Sequence, residues 1–346
     1  MKTIRGLNVR GKRVLVRSDF NVPLSPEGDI LDDFKIRQTL PTINYLVRRR
    51  ARIILMSHLD DPGGRVIERL RLDRIQKRLE KHLGQTVLKA ADCVGPEVRN
   101  LVKKMKPGQV LLLENLRFHA AEEKGSLRFT KKLAELGDVF LNDAFAVSHR
   151  DHASLKVARV LPSGAGLLLT QEIQVLTRLR DNPRKPLVVI LGGQAKGLET
   201  KLRLINRYAG QGAWVLLANL VADELERRKK KLSSPAQVIC PVDSVRGYDI
   251  GQRTLKSFRK KIAKAKTIFW SGPLGWIEKK KYSRGSQEVA RAIIQSRAFS
   301  VAGGGETSWF LRQRGLAGKF NHLSTGGDAL LLFLAGEKLP GIEALG

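Results

Sequence analysis

The 346-residue chain is poor in the residues that mark several specialised classes of protein. Its two cysteines, Cys93 and Cys240, lie far apart and lack metal-ligand spacing, which argues against a disulfide scaffold or a zinc site. We expect both to be small core residues. No uncharged run approaches the roughly 18 residues of a membrane-spanning helix, so we expect no membrane partner. Met1 leads almost directly into a predicted strand at 13–17, leaving no room for a signal peptide, so we expect a cytoplasmic protein.

Negative charge and large aromatic side chains are also scarce. The chain has 63 Lys and Arg against 33 Asp and Glu, a net charge of +30, with only four Trp and four Tyr. Basic runs supply much of this excess, at 48–50, 227–231, 259–261 and 279–281. Such runs are typical of a solvated surface, but summed positive charge also attracts phosphate backbones without a dedicated motif. Nonspecific nucleic-acid contact through the basic surface therefore stays open, although few rings are present to stack on bases.

Eight short apolar runs, each followed by a polar or glycine-rich loop, are the most informative pattern that is present. They lie at 14–16, 53–56, 111–113 and 139–141 in the first half and at 188–191, 267–270, 301–302 and 323 in the second. Helical patterns between short β-branched runs indicate parallel strands joined by crossover helices. Ligands of such sheets bind outside the carboxyl ends of the strands. The loops that follow the runs are therefore the candidate binding residues.

The two halves offer different chemistry in these loops. The first half offers polar and cationic side chains, namely Asp19, Asn21, Lys35, His58, Arg117 and Arg150. The second offers glycines that precede helical patterns, namely Gly192, Gly193, Gly272, Gly303, Gly304 and Gly305. Cationic forks match phosphate and carboxylate oxygens, and bare amides at helix N-termini suit phosphate. Neither a P-loop nor a Rossmann fingerprint occurs. The division predicts a phosphoryl transfer enzyme with two substrates.

The same pattern predicts an α/β protein with two Rossmann-like parallel-sheet domains joined by a helix. Residues 1–161 form the predicted acidic-substrate domain, and residues 184–335 the predicted nucleotide-binding domain. Between them, the proline-bounded segment 162–183 has helical periodicity and is the predicted interdomain helix. Residues 336–346 contain too few apolar residues for a further packed helix and form a predicted tail.

A series of motifs in this chain resembles phosphoglycerate kinase. The motifs are Asp19-Phe20-Asn21-Val22-Pro23, Ser57-His58-Leu59, Leu113-Glu114-Asn115-Leu116-Arg117-Phe118-His119, Asn142-Asp143-Ala144-Phe145, Gly272-Pro273-Leu274-Gly275, Gly303-Gly304-Gly305 and His322-Leu323-Ser324-Thr325-Gly326-Gly327. Their order and spacing match over nearly the whole chain, from about residue 14 to 341. The resemblance implies a phosphoglycerate kinase-like fold whose tail returns to the first domain.

The resemblance also implies an activity. It is reversible phosphoryl transfer between MgATP and the carboxylate of 3-phosphoglycerate, which gives 1,3-bisphosphoglycerate and ADP in glycolysis and gluconeogenesis. Mg²⁺ bound with ATP or ADP is the implied cofactor. Hinge closure through the helix at 162–183 is expected to bring the two substrates together. We expect a monomer.

Site residues follow from the resemblance in the first half of the chain, with two departures. The positions that match residues holding 3-phosphoglycerate are Asp19, Asn21, His58, Arg117 and Arg150. Lys35 stands where the family has an arginine near the transferred group, and it keeps the charge but loses the planar fork. Asp61 stands where the family has a phosphate-binding arginine, and Arg65 compensates only in part. We therefore expect a weakened substrate site.

In the second half, the matched nucleotide-binding positions are Gly192, Gly193, Gly272, Glu278, Gly303, Gly304, Gly305, Glu306 and Thr307. Lys196 and Lys201 match the family's two catalytic lysines only after shifts of register. Glu306 replaces the aspartate that reaches the nucleotide's magnesium, and either carboxylate is a suitable ligand. The sequence Leu216-Leu217-Ala218-Asn219 replaces a glycine-rich turn near the adenine, so we expect an altered base pocket. The chain is also short for the family, and we expect the deficit around 245–248.

These departures leave two alternatives open beside the kinase. One is a catalytically reduced relative that acts as a basic protein binding nucleic acid or ribosomes. The other is a kinase for a different small carboxylic acid. Asp61 would suit the second alternative, because a substrate without the distal phosphate needs one arginine fewer.

Overall fold

The computed structural model describes residues 1–194 and 197–346, and these divide into two compact units. The first unit comprises Met1–Ile173 and Lys338–Gly346. The second unit comprises Gln174–Glu337. Each unit therefore takes in part of the segment 162–183.

A parallel sheet forms the centre of the first unit. Its strands are β1 (Arg13–Arg17), β2 (Arg52–Met56), β3 (Val87–Lys89), β4 (Val110–Leu112), β5 (Val139–Asn142) and β6 (Ser163–Ala165). The six strands lie in the order β3-β4-β2-β1-β5-β6. All four runs predicted in this half of the chain are strands of this sheet. The remaining two, β3 and β6, have three residues each, which is too short for a periodic signal.

Helices cover this sheet. They are α1 (Phe34–Arg48), α2 (Asp73–Leu83), α3 (Pro96–Lys104), α4 (Ala120–Glu123), α5 (Leu127–Ala134) and α6 (Ala153–Lys156). Val14 and Val16 of β1 lie in one buried apolar cluster with Ile43 of α1. The central strands are buried on both faces, which is why they read as unbroken apolar runs rather than alternating ones.

Helix α7 (Leu167–Asp181) begins in the first unit and ends in the second. It starts five residues later than the predicted segment, because Ser163–Ala165 pairs with β5 as strand β6. A side chain then meets the first turn of the helix, since the carboxylate of Asp143 accepts the backbone N–H of Leu169 at 3.1 Å. That amide has no partner within the helix, so Asp143 fixes where α7 begins.

The second unit is built in the same way. Its strands are β7 (Leu187–Leu191), β8 (Trp214–Leu217), β9 (Val238–Ile239), β10 (Ser244–Val245), β11 (Asp249–Ile250), β12 (Thr267–Ser271), β13 (Phe299–Gly303) and β14 (His322–Leu323). Six of them form a parallel sheet in the order β14-β13-β12-β7-β8-β9, while β10 and β11 form an antiparallel hairpin. The helices are α8 (Leu198–Gly210), α9 (Asn219–Arg227), α10 (Gln252–Ile262), α11 (Arg284–Ser296), α12 (Gly305–Gln313) and α13 (Asp328–Ala335). The prediction of two parallel-sheet α/β domains is confirmed.

The C-terminal residues Lys338–Gly346 belong to the first unit. The expectation that they form no further helix is wrong, because the short helix α14 (Pro340–Glu343) lies within them. The backbone N–H of Gly341 donates to the carbonyl of Ser148 at 2.8 Å, and Asn142 donates to the carbonyl of Gly341 at 2.9 Å. The expectation of two core cysteines is wrong for one of them, because Cys93 is buried whereas Cys240 is exposed. Among the described residues, none of the helices combines the length and apolar character of a membrane span.

Candidate functional site

The carboxyl ends of neighbouring strands bring the predicted polar side chains of the first unit together. Asp19 follows β1, His58 follows β2 and Arg117 follows β4. The strands are parallel and aligned, with Arg17 of β1 in register with Met56 of β2. The loops that follow them therefore start at one edge of the sheet, where ligands of such sheets bind.

Asp19 and Lys35 form an ion pair at this edge. The Nζ atom of Lys35, in the first turn of α1, lies 2.7 Å from Oδ2 of the buried Asp19. The other carboxylate oxygen accepts the backbone N–H of Asn21 at 3.0 Å. Burial alone would raise the pKa of Asp19, but Lys35 and these hydrogen bonds lower it to about 2. Asp19 is therefore an ionised acceptor at neutral pH.

Arg17, the last residue of β1, is a buried cation that the sequence-based site prediction misses. Its Nε donates to the hydroxyl of Ser154 at 2.9 Å, and that hydroxyl in turn donates to the buried carboxylate of Glu122. Burial lowers the pKa of Arg17, and the negative charge of Glu122 opposes that shift. Arg17 could have been predicted as a site residue, because it directly follows the apolar run 14–16 at the end of a predicted strand.

His58 lies between these groups as a neutral imidazole. Its pKa is well below the ordinary value because the ring is buried and because Arg17 is close to it. The Nδ1 atom lies 3.3 Å from Nη2 of Arg17, which can only donate. The imidazole proton is therefore on Nε2, and this N–H is the donor that His58 can offer a ligand.

Arg117 and Asn21 both form hydrogen bonds to Asp60, the residue before Asp61. The negative charge of Asp61 is unfavourable for binding an anionic substrate. Arg117 donates to the carbonyl of Asp60 at 2.9 Å, and the backbone N–H of Asp60 donates to Asn21 at 2.8 Å. Asp60 has a φ of 57°, a left-handed conformation that glycine adopts without strain. The exposed Asp61 therefore follows directly on a backbone group that Arg117 contacts.

Positive charge collects around His152. Burial and the nearby charges of Arg17, Arg117 and Arg150 lower the pKa of His152 to about 3. Arg150 itself is exposed, while Nε of Arg117 lies 3.2 Å from a carboxylate oxygen of Glu123. Three arginines thus act on one buried imidazole. A small anion carrying phosphate or carboxylate groups is the ligand that this field favours.

In the second unit, two glycine turns touch where β7 and β12 end. The backbone N–H of Gly192 donates to the carbonyl of Ser271 at 2.9 Å, and that of Gly193 donates to the carbonyl of Pro273 at 2.7 Å. A Cβ atom on Gly192 would lie 2.1 Å from the Pro273 carbonyl oxygen. A Cβ on Gly272 would lie 2.1 Å from the Gly192 carbonyl carbon. Only residues without a side chain allow this approach.

The third predicted glycine segment, Gly303 to Gly305, leads from β13 into α12. Gly304 has a φ of 91°, which favours glycine. Thr307, in the first turn of α12, accepts the backbone N–H of Gly272 at 2.8 Å through its hydroxyl oxygen. Thr307 therefore fixes the turn at Gly272, and its hydroxyl proton stays available for a further acceptor.

A cavity of about 320 Å³ opens beside these turns. Its lining residues are Gly193, Gln194, Ala218, Asn219, Leu220, Gly247, Tyr248, Pro273, Leu274, Gly275, Trp276, Ile277, Glu278 and Glu306. Three of the predicted nucleotide-binding residues, Gly193, Glu278 and Glu306, are among them. The turn at Ala218 and Asn219, predicted to lie near the base, borders the same cavity. The size and mixed lining of the cavity suit a ligand with a flat apolar part and a charged part.

Two carboxylates at this cavity are candidate ligands for a divalent cation. The pKa of Glu306 is raised by partial burial and by the negative charge of Glu278. Gln194 donates to Glu306 at 3.4 Å, and Lys201 partly offsets the repulsion. A carboxylate whose negative charge is only partly offset is a suitable hard oxygen ligand for Mg²⁺.

The two predicted catalytic lysines have different outcomes. Lys196 lies outside the described residues. Lys201, in the first turn of α8, is buried, and its Nζ donates to the carbonyl oxygens of Gly192 at 2.8 Å and Gln194 at 2.5 Å. Burial lowers the pKa of Lys201 to about 8. Lys201 does not line the cavity. It therefore acts on the site by positioning the glycine loop to which its ammonium is hydrogen-bonded.

Tyr248 and Trp276 are cavity residues that the sequence-based site prediction misses. Their ring centroids lie 5.5 Å apart, and Nζ of Lys279 lies 4.3 Å from the centroid of Trp276. Both rings are exposed in part. Trp276 could have been predicted from the sequence, because it directly follows the motif Gly272-Pro273-Leu274-Gly275. This position places a flat side chain beside a glycine turn.

Comparisons with known proteins agree on one family. The family model described as phosphoglycerate kinase matches residues 4–227 and 197–337. The chain is 41% identical over 388 aligned positions to the phosphoglycerate kinase of Pelotomaculum thermopropionicum, covering 99% of this chain and 98% of the relative. It is 40% identical over 390 positions to that of Moorella thermoacetica, with coverage of 99% and 98%.

Solved structures give the same answer. The crystal structure of phosphoglycerate kinase from Pyrococcus horikoshii OT3 matches with a TM-score of 0.88 at 31% sequence identity. The match covers 100% of this chain and 98% of that one.

Proposed function

Because this chain belongs to the phosphoglycerate kinase family, we propose that it catalyses reversible phosphoryl transfer between MgATP and the carboxylate of 3-phosphoglycerate. The observation that carries this proposal is the placement of Arg17, Arg117 and Arg150 at or after the carboxyl ends of β1, β4 and β5, strands of one parallel sheet. There burial, together with the charges of Arg17, Arg117 and Arg150, lowers the pKa of His152 to about 3. A doubly anionic acid with a phosphate and a carboxylate is the substrate class that matches such a field.

In this proposal, the side chains of the first unit bind and orient the acid. Arg117 and Arg150 take its phosphate, and the Nε2–H of His58 supplies a neutral hydrogen bond. The ionised Asp19 accepts the hydroxyl of the substrate. Lys35, paired with Asp19 at 2.7 Å, directs its charge toward the attacking carboxylate and the transferred group.

The second unit binds the nucleotide in the cavity of about 320 Å³. The amides at the N-terminus of α12 take the phosphates, because the glycine turns leave room for the ligand to approach the backbone and Thr307 orients the turn at Gly272. Tyr248 and Trp276 offer flat surfaces to the base. When bound with the nucleotide, Mg²⁺ neutralises phosphate charge, and Glu306 with Glu278 would hold it. Lys196 is the lysine that we assign to the transferred phosphoryl group, while Lys201 positions the adjoining loop by donating to the carbonyls of Gly192 and Gln194.

No covalent enzyme intermediate is needed, because the carboxylate oxygen of the acid displaces ADP from the γ-phosphorus directly. The protein then contributes position and charge. In the reverse direction ADP attacks the acyl phosphate, and the same cations stabilise the same charge distribution.

An acceptor screen tests this function against the alternative acids. Purified protein with MgATP and hydroxylamine is given 3-phosphoglycerate, glycerate or acetate, and any acyl phosphate is trapped as a coloured hydroxamate. We expect hydroxamate with 3-phosphoglycerate at more than ten times the rate with either acid that lacks a phosphate. A preference for glycerate would show that the protein is a kinase for an acid without a phosphate. Asp61 would then be the residue that determines this specificity. No hydroxamate with any acid would overturn the kinase proposal.

A further inference from the structure

Helices α10 and α11 of the second unit carry a surplus of positive charge that the proposed kinase reaction does not use. Helix α10 has five cations and no carboxylate, at Arg253, Lys256, Arg259, Lys260 and Lys261. Helix α11 has Arg284 and Arg291 with a single carboxylate, Glu288. On α9, by contrast, Glu224 pairs with both Arg227 and Arg228.

The two helices pack side by side and form one basic face. Glu288 lies between them, with one oxygen 3.8 Å from Arg259 and the other 2.8 Å from Arg291. Helix α10 buries Leu255, Phe258 and Ile262 against the sheet, so its cations are forced to the opposite side. The α10–α11 basic face is therefore a consequence of how the helices bury their apolar residues.

Four cations of this face are available to a partner. They are Lys256 and Lys260 of α10, Lys264 two residues after the end of α10, and Arg284 at the start of α11. All four are exposed, and within the described residues their side chains form no ion pair or hydrogen bond. Along α10, Lys256 and Lys260 are separated by four residues, or about 6 Å of helix. They are spaced as a row of point charges that can follow a line of phosphates.

We propose that the α10–α11 basic face binds the phosphate backbone of a nucleic acid. Neither helix carries an exposed large apolar side chain, so the face lacks the anchors by which a basic helix inserts into a membrane. The partner that needs only evenly spaced cations is a nucleic-acid backbone, for which contact is electrostatic and independent of sequence. The net charge of +30 adds long-range attraction to the same partner.

This face is separate from the nucleotide cavity. None of its four available cations lines that cavity, although α10 begins four residues after Tyr248 and α11 six residues after Glu278, both of which do. Binding at the face therefore persists when MgATP fills the cavity. That independence separates this inference from the proposed kinase function, since either can fail alone.

Salt-dependent binding to a fluorescent DNA duplex tests the inference. Anisotropy is measured with full-length protein, with and without saturating MgATP, at salt concentrations between about 50 and 200 mM. The test variant carries Lys256→Gln, Lys260→Gln, Lys264→Gln and Arg284→Gln. The control carries Lys77→Gln, Lys81→Gln, Lys103→Gln and Lys104→Gln, which removes the same charge from exposed positions on α2 and α3.

We expect the test variant to lose at least about tenfold in affinity, and its slope of log K against log salt to become shallower by about 3. We expect the control to lose less than about threefold. Equal losses in both variants would overturn the inference by showing that the attraction belongs to the whole surface. The inference would also be overturned if the unmodified protein did not bind the duplex or if MgATP competed with the duplex. A preference for phosphatidylserine vesicles over the duplex would overturn it as well.

Discussion

The ammonium of Lys35 lies 2.7 Å from the carboxylate of Asp19, which is 4% exposed. This pair links the first turn of α1 to the loop after β1. It keeps Asp19 ionised, with a pKa of about 2, and it fixes the cation of the first unit that the family resemblance assigns to the transferred group. The pair therefore connects the geometry of the first unit to the proposed reaction.

Replacing Lys35 tests that connection. We expect Lys35→Ala to lower kcat by about 100-fold, because a cation aimed at developing charge is lost. Lys35→Arg should keep kcat within about tenfold of the unmodified protein or raise it, because it restores the planar fork. Steady-state kinetics with both substrates measures this. A Lys35→Ala protein with unchanged kcat and merely reduced thermal stability would show that the pair has a structural role only.

Asp61 is expected to weaken binding of the acidic substrate. We predict that Asp61→Arg lowers KM for 3-phosphoglycerate roughly tenfold, since one charge-assisted hydrogen bond replaces a repulsion. KM for ATP should not change. Glu97→Arg is the matched control, because it makes the same charge change at an exposed position on α3. If both variants lower KM equally, the effect is a general one of net charge.

The contact between Gly272 and Gly192 predicts a selective intolerance of side chains. We expect Gly272→Ala to cost about 3 kcal/mol of stability and to raise KM for ATP, because its Cβ would overlap the Gly192 carbonyl and its φ is positive. Gly315→Ala shares the positive φ but meets no atom within 4 Å, so it should cost about 1 kcal/mol. Urea unfolding compares the two. Equal costs would show that the close approach is not rigid.

Asp143 predicts how stability depends on pH. Burial raises its pKa from 3.8 to about 7, so between these values the folded protein retains a proton that the unfolded chain has released. Stability therefore falls as pH rises through this window, by about 1.4 kcal/mol per unit. Asp143→Asn removes this slope.

Denaturant unfolding at pH 5 and pH 8 measures the effect. The stability of Asp143→Asn relative to the unmodified protein should improve by about 3 kcal/mol between the two values. Asp29→Asn, at an exposed position, serves as the control and should show no such change. Parallel pH profiles for the unmodified protein and Asp143→Asn would contradict the assignment of a buried proton to Asp143.

The sheets of both units were largely predictable from the sequence, because buried central strands leave continuous apolar runs. The run 14–16 becomes β1 and the run 188–191 lies in β7. Strand β6 was not predictable, since Ser163–Ala165 has no apolar periodicity and is held by pairing with β5. That pairing shortens the predicted helix at 162–183.

The candidate site was predictable where residue type alone points to a ligand, as for Asp19 and Arg117 in loops after strands. It was not predictable where burial decides the chemistry. Arg17 gains its importance from complete burial beside His58. Lys201 sits behind the glycine loop because the backbone carbonyls of that loop capture its ammonium, a contact that no sequence pattern reveals.

Turnover with 3-phosphoglycerate tests the central claim most directly. Consumption of MgATP is coupled to reduction of the acyl phosphate by a dehydrogenase and NADH, with unmodified protein, Arg117→Ala and Arg150→Ala. We predict NADH oxidation that depends on 3-phosphoglycerate and falls at least about tenfold in each arginine variant, since each loses a charge-assisted contact. Folded protein that oxidises no NADH beside a working positive control, or equal rates in all three proteins, would contradict the account.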